Sequence, residues 1–558
     1  MNIVRTIFSG KRFGFLLGVV LLAGFVLFPV DSGRPETGYM LGVALLMATW
    51  WIFEVVPLAV TALIPVALMP LLGISDGKTV STAYFNEVIF LFLGGFIMAL
   101  AMQRWELHRR IALRILMLTG TQPAGVLLGF MAATAFLSMW ISNTATAMMM
   151  IPILLSVISS FEERGATRRV AVGLLLGVAY SASIGGIATL VGTPPNLSFV
   201  RIFHIMFPAA PEVSFGQWML FALPLSVVML LLVWLLLWHM FLRGEAGVRA
   251  QRSMLTDQYR ALGRMTTEEK AVLVHFLAMA LLWTFRSDLE TGWFTLPGWS
   301  GLLPHAAFIN DGTVAVALGV SLFLFPASAK GVRLMNWETA RGLPWDIVLL
   351  FGGGFALASG IRDSGLAQWF GEQLQWLGVL HPFVFMNLVV TMMTFVTELT
   401  SNTATTEMVL PVLAGLAVST DIHPLLLMIP ATVAASMAFM MPVATPPNAI
   451  IFGTGRLSVM EMARCGLIIN FIGIIVLSLF TWFWGSVVFW LYGKWFPGRL
   501  VVRLILLQCR NGNFIRIDES KHHLFARKDA KSQRIFAVTH EIRNFRLTPH
   551  ASRLTPNA

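Results

Sequence analysis

The chain has 558 residues, 57% of them hydrophobic and only 12% charged, about half the charged share of a soluble domain. Its formal charge of +11 is concentrated at the C-terminus: 501–558 carries +7 and the first 500 residues only +4, with no basic stripe, which argues against a nucleic-acid partner. Two cysteines exclude a disulfide framework, and no Cys/His cluster has metal-binding spacing.

Apolar runs of 18 or more residues, 13–30 and 220–237 among them, are long enough to cross a bilayer, so the chain reads as an all-α polytopic membrane protein. Arg5, Lys11 and Arg12 precede the first run, and no small-x-small cleavage site follows Val30; 13–30 is therefore expected as an uncleaved first helix. Helices near 39–55 and 57–73 come next, divided at Pro57, which lacks a backbone donor. Glu54, a lone carboxylate at membrane depth, is a functional candidate by position, although a place at a helix border near the interface fits it better. A helix from about 87 carries Gly94 and Gly95, which allow close helix packing. It leads into Arg104, Arg109, Arg110 and Arg114, an amphipathic stretch suited to a membrane surface.

The next two apolar segments, 124–141 and 147–160, are short and flank SNTAT at 142–146, the pattern of a re-entrant hairpin. A helix over 168–190 breaks at Gly192 and TPPN (193–196), resumes, and 216–241 closes a first repeat, 1–242. A basic linker, 243–270, ends in Thr266 and Glu269 at capping-box spacing. The second repeat, 271–495, follows the same plan: helices near 271–286, 311–327 and 345–361, a hairpin near 380–418, a broken helix at 424–455 and a last helix at 465–492.

SNTAT recurs at 401–405, an offset of 259, and TPPN at 445–448, an offset of 252. Motifs repeating in one order mark an internal duplication, and matching polar breaks in two hydrophobic halves place a binding site between them. Loop charge sets the expected topology of about 11 transmembrane helices with a cytoplasmic N-terminus. It puts 243–270, 330–341 and 456–464 inside and the Lys/Arg-free loop 287–310 outside. Arg164, Arg168 and Arg169 flank the first hairpin, whereas His381, Asp421 and His423 border the second, so the first opens inward and the second outward as an inverted repeat. The basic tail, 496–558, has weak periodicity and reads as a disordered, non-functional extension.

At each hairpin tip a new helix begins with unpaired N–H groups, for which Ser, Thr and Asn are preferred caps and anions are preferred guests. Yet 131–161 and 386–418 contain no Lys, Arg or His to neutralise a bound dianion. Hydroxyls of Ser138, Ser142, Thr397 and Ser401, amide oxygens of Asn143 and Asn402, and unwound carbonyls can bind a hard cation such as Na⁺. Co-bound Na⁺ would supply the missing charge, a physical reason for symport. Glu398 and Glu407 add negative charge nearby and read best as structural groups in a polar interior.

With both SNT motifs, both TPPN loops and the stretch 436–448 (SMAFMMPVATPPN), the chain resembles the divalent anion/sodium symporters over about 13–495. The resemblance implies Na⁺-coupled uptake of di- or tricarboxylates by a homodimer whose protomers pair a scaffold domain with a transport domain moving as an elevator. It also implies a multi-pass protein of the bacterial inner membrane and no enzyme activity. By motif position it implies a first Na⁺ site at Ser138, Ser142, Asn143 and Gly192, and a second at Thr397, Ser401, Asn402 and Ala444. The substrate carboxylates would meet Asn143, Thr144, Asn402 and Thr403, with Thr193, Thr445 and Pro446 nearby. Two anion-binding tips suit a C4-dicarboxylate such as succinate, malate or fumarate. Citrate, sulfate or sodium-independent dicarboxylate exchange are the alternatives within the family, and an anion channel or a membrane-embedded enzyme the alternatives outside it.

Overall fold

The computed structural model describes residues 2–31, 33–245, 252–290, 295–489, 515–518 and 523–526. The chain divides into two units, 1–491 and 492–558. In the second, the strands Ile515–Asp518 and His523–Ala526 pair antiparallel, and the rest of the expected disordered tail lies outside the described residues.

Among its described residues the first unit is helical, apart from a two-residue antiparallel ladder, Leu289–Glu290 with Thr295–Leu296, in the loop expected outside, and an isolated bridge between Pro326 and Arg333. Among the described residues seven helices are long and apolar enough to cross a bilayer, and five more are apolar but of 10–17 residues. The first arms of both expected hairpins, Pro123–Ser138 and Pro382–Val396, are among the short ones. Proline opens many of these helices, as at Pro35, Pro123, Pro194, Pro382, Pro424 and Pro446, where its missing N–H costs nothing because the first turn has no acceptor for it.

Most expected elements appear with shifts of a few residues. The helix expected over 57–73 is two pieces, Leu58–Thr61 and Ile64–Leu71, since Pro65 opens a new start. Glu54 lies exposed just past the helix Pro35–Ile52 at a φ of 44°, a border residue as anticipated. Gly94 packs on the helix Asp311–Leu324, where an added Cβ would lie 2.5 Å from Ala315 Cβ, so the close approach needs glycine. The expected linker contains a helix, Arg252–Ala261, and its Thr266/Glu269 capping box is formed on both sides.

Arg110 departs from its expected place on a membrane surface. It is buried, its Nε and Nη2 donate to Glu269 Oε1 and Oε2 at 2.9 and 3.1 Å, and Nη1 and Nη2 reach the carbonyls of Gly263 and Leu262. The helix Leu107–Leu118 is therefore clamped to the end of the linker. A buried guanidinium is tolerated there because a bidentate carboxylate and two carbonyls replace its water.

A second cluster gathers other loops at one end of the molecule. Arg168 meets Glu461 through two 2.8 Å bonds and donates to the Arg456 carbonyl at 3.0 Å. Arg456 pairs with Glu162, and Thr167 bonds Glu245. The first hairpin's exit, the start of the linker and the 456–464 loop thus share one end, as their charge anticipated.

Candidate functional site

The first SNTAT lies between the helices Pro123–Ser138 and Asn143–Glu162, and the second between Pro382–Val396 and Asn402–Ser419. In each, one helix ends before the motif and the next begins within it, with the serine as the N-cap of the second. Ser142 Oγ accepts from Ala145 N–H at 3.3 Å, and Ser401 Oγ from Ala404 N–H at 3.5 Å. Capping and ion binding do not compete for the whole hydroxyl oxygen, which has two lone pairs.

Behind the caps the two halves repeat one arrangement. The Ser138 hydroxyl lies 2.5 Å from Asn143 Oδ1 and 2.8 Å from the Ala182 carbonyl. The Thr397 hydroxyl lies 2.7 Å from Asn402 Oδ1 and 2.7 Å from the Ala435 carbonyl. In each cluster one proton serves three oxygens. Surplus lone pairs converging on one point are what a hard cation requires. The Gly192 carbonyl lies near the first cluster: a Cβ on Gly186 would stand 2.7 Å from Asn143 Oδ1 and 3.1 Å from that carbonyl.

The two TPPN segments begin the helices Pro194–Met206 and Pro446–Phe452, with Thr193 and Thr445 as N-caps. Thr445 Oγ1 accepts from Asn448 N–H at 3.3 Å, while the Thr193 side chain makes no cap bond. Each short helix packs on the hairpin of the other half: Pro194–Met206 against Asn402–Ser419, and Pro446–Phe452 against Asn143–Glu162. The halves are interleaved, so helix N-termini from both belong to one region. Thr193, Thr403 and Thr445 are buried there, Thr144 is half-buried and Pro446 exposed. Ala444 N–H donates to the Met441 carbonyl at 3.2 Å, which holds it in the second unwound loop.

Several residues of this region carry no role in the motif reading. Asn196 Nδ2 lies within 2.7–3.3 Å of the carbonyls of Gly186, Ile187 and Thr189, and Asn448 Nδ2 lies 3.1 Å from those of Ala438 and Met441. These asparagines staple the breaks that the prolines open. Their Oδ1 atoms, and the hydroxyls of Ser183 and Ser436, are buried without a partner. The pair 196/448 closes the TPPN repeat at its offset of 252, and 183/436 recurs beside it at 253.

The loop is tied to the tip differently in each half. Thr189 Oγ1 donates to the Met139 carbonyl at 2.5 Å and accepts from Gly192 N–H at 3.1 Å. At the position matching Met139 stands Glu398, whose buried carboxylate accepts from the amides of Phe439, Met440 and Met441 and from Asn470 Nδ2 at 2.7–3.1 Å. Its oxygens are spent on the loop, the structural role expected of it. Glu407 is also buried, accepting from Ser198 Oγ at 2.9 Å across the interleaved halves.

Residues 10–491 match the family described as the sodium:sulfate symporter transmembrane region. The sodium-dependent dicarboxylate transporter SdcS of Staphylococcus saprophyticus is 42% identical over 485 residues, 85% of this chain and 91% of that protein. SdcS of Staphylococcus aureus is 41% identical over 486 residues with the same coverage. Among solved structures, the YdaH transporter of Alcanivorax borkumensis aligns with a TM-score of 0.53 at 14% identity, covering 80% of this chain and 98% of that one. MtrF of Neisseria gonorrhoeae aligns with a TM-score of 0.50 at 15% identity over 74% and 82%. At such identities the likeness concerns the fold alone, that of helical membrane transporters.

Proposed function

The chain belongs to the sodium:sulfate symporter family, and from that premise we propose that it takes up C4-dicarboxylates such as succinate, malate or fumarate by Na⁺ symport. It is a multi-pass membrane transporter, not an enzyme. The observation that carries the coupling is the duplicated oxygen cluster, Ser138 with Asn143 and Thr397 with Asn402, in segments without a Lys, Arg or His. A dianion beside those tips needs cations that the protein does not provide, and two Na⁺ ions supply them.

The first ion is held by Ser138, Ser142, Asn143 and the Gly192 carbonyl, the second by Thr397, Ser401, Asn402 and the Ala444 loop. Asn143, Thr144, Asn402 and Thr403 present helix N-termini to the two carboxylates, with Thr193, Thr445 and Pro446 lining the approach. Each asparagine offers an oxygen to the ion and an amide to the anion, so neither ligand completes its site alone. The two hairpins are inverted repeats in a transport domain that moves as an elevator against a scaffold, in a homodimer of the bacterial inner membrane with a cytoplasmic N-terminus.

Uptake of labelled succinate, citrate and sulfate into proteoliposomes tests this reading. Succinate uptake is expected to require an inward Na⁺ gradient and to fall to background when choline replaces Na⁺. Undiminished uptake in choline that depends on internal dicarboxylate would make the protein an exchanger.

A further inference from the structure

A cleft of about 450 Å³ lies between the elbow 104–109, where the helix Glu87–Arg104 turns into Leu107–Leu118, and the end of the linker, 261–269. Loop charge puts the linker, and with it this cleft, on the cytoplasmic side. The carboxylate of the linker wall is spent: Glu269 binds Arg110 through both oxygens, and the two charges cancel. The elbow is not balanced in this way. Among the described residues Arg104 makes no hydrogen bond and no ion pair. Its guanidinium lies 5.4 Å over the Trp105 ring, a contact that uses none of its N–H donors. Its Nη1 is buried without an acceptor, while Nε and Nη2 are neither bonded nor buried. Arg109 Nη1 and Glu106 Oε2 stand 3.6 Å apart, too far for a hydrogen bond. Two guanidiniums against one loosely held carboxylate leave the elbow wall positive.

A cation in a last helical turn complements the helix dipole, which accounts for a basic residue at Arg104. It does not account for a buried guanidinium nitrogen with no acceptor, a cost that a ligand oxygen would remove. Glu106 turns the chain at a φ of 53°, and this turn sets Arg104 and Arg109, from successive helices, on one cleft. The second of those helices has the character of a membrane-surface element. Leu107, Arg110 and Leu113 are buried, whereas Arg114 and Leu118, one turn apart, are exposed. A charged and an apolar side chain on one outward face suit the headgroup level of a bilayer. Arg264 and Lys270, exposed on either side of the Thr266–Glu269 cap, add to the positive potential.

We propose that this cleft binds the phosphate group of an anionic phospholipid of the cytoplasmic leaflet, with Arg104 as its main ligand and Arg109 as its second. Guanidinium forks match phosphate oxygens through paired N–H bonds, and basic pockets beside helices on the cytoplasmic side hold such headgroups. Free phosphate offers the same oxygens, but the exposed Leu118 beside Arg114 favours a lipid source. The site is independent of the transported substrate.

The test uses purified, delipidated full-length protein, titrated with phosphatidylglycerol, phosphatidylcholine or inorganic phosphate. Bound lipid is counted by native mass spectrometry, and the thermal midpoint is recorded alongside. Phosphatidylglycerol is expected to bind and to raise the midpoint, and the other two are not. Arg104→Gln should weaken phosphatidylglycerol binding about fivefold, and Arg104→Gln/Arg109→Gln further. Glu106→Gln should tighten it, because a competing negative charge is removed. Arg341→Gln, at an exposed arginine of the 330–341 loop, should change nothing. Without lipid, Arg104→Gln should keep the wild-type midpoint, since it has no ion-pair or hydrogen-bond partner to lose. A loss in Arg104→Gln no larger than in Arg341→Gln, or equal binding of phosphatidylcholine, would overturn the site. So would a midpoint lowered equally with and without lipid, which would make Arg104 structural. A rise with inorganic phosphate matching that with phosphatidylglycerol would overturn the lipid as its source.

Discussion

Ser138 and Thr397 each place one hydroxyl between an asparagine oxygen and a backbone carbonyl, and neither hydroxyl caps a helix start. Removing either hydroxyl takes an oxygen from the proposed ion site while the cap serine keeps the helix start. Ser138→Ala and Thr397→Ala should therefore weaken apparent Na⁺ affinity more than they alter substrate selectivity. Asn143→Ala and Asn402→Ala should damage both, since in the proposed sites each side chain meets ion and anion. Loss of one such buried contact costs about 1–3 kcal/mol, or roughly tenfold to a hundredfold in affinity, read from the Na⁺ dependence of initial uptake rates. Glu398 and Glu407 show why residue type alone misleads: both are buried carboxylates near the tips, but one accepts from three backbone amides and the Asn470 side chain and the other from a single hydroxyl.

Among the elements, the hairpins carry the strongest expectation. The exit of the first hairpin shares an end with Glu245, Arg456 and Glu461 through direct bonds. Cysteine at Glu163 should label only from the cytoplasm, and cysteine at Val418, 66% exposed, only from outside, with membrane-impermeant maleimide as the probe. Labelling of both from one side would reject the inverted arrangement. The clamp between Leu107–Leu118 and the linker gives a second expectation. Arg110→Met leaves Glu269 buried without its partner, which should cost about 3–5 kcal/mol and lower the thermal midpoint of the purified protein. Simultaneous Glu269→Leu should recover part of that loss, because an uncompensated charge is worse than none.

At the scale of the whole molecule, the unit boundary at 491 coincides with the end of the family match. A chain ending near Arg499 should insert and transport Na⁺-coupled succinate at the full-length rate. Lost transport at unchanged membrane level would give the tail a role.

The duplication, the hydrophobic class and the helix breaks at both SNTAT and both TPPN segments were legible in the chain, since these motifs are local signals of helix breaks and hydrophobic length is additive along the chain. Register between the halves was not. That Thr193's helix lies on the second hairpin and Thr445's on the first depends on long-range packing, which no local pattern encodes. Arg110 reads as one more surface arginine until Glu269, remote in sequence, arrives beside it. The partners of Glu398 are likewise set by which helices meet. Local sequence determined where the backbone must break. Tertiary structure decided which charges and oxygens those breaks bring together, because the partners that satisfy a buried polar group come from anywhere in the chain.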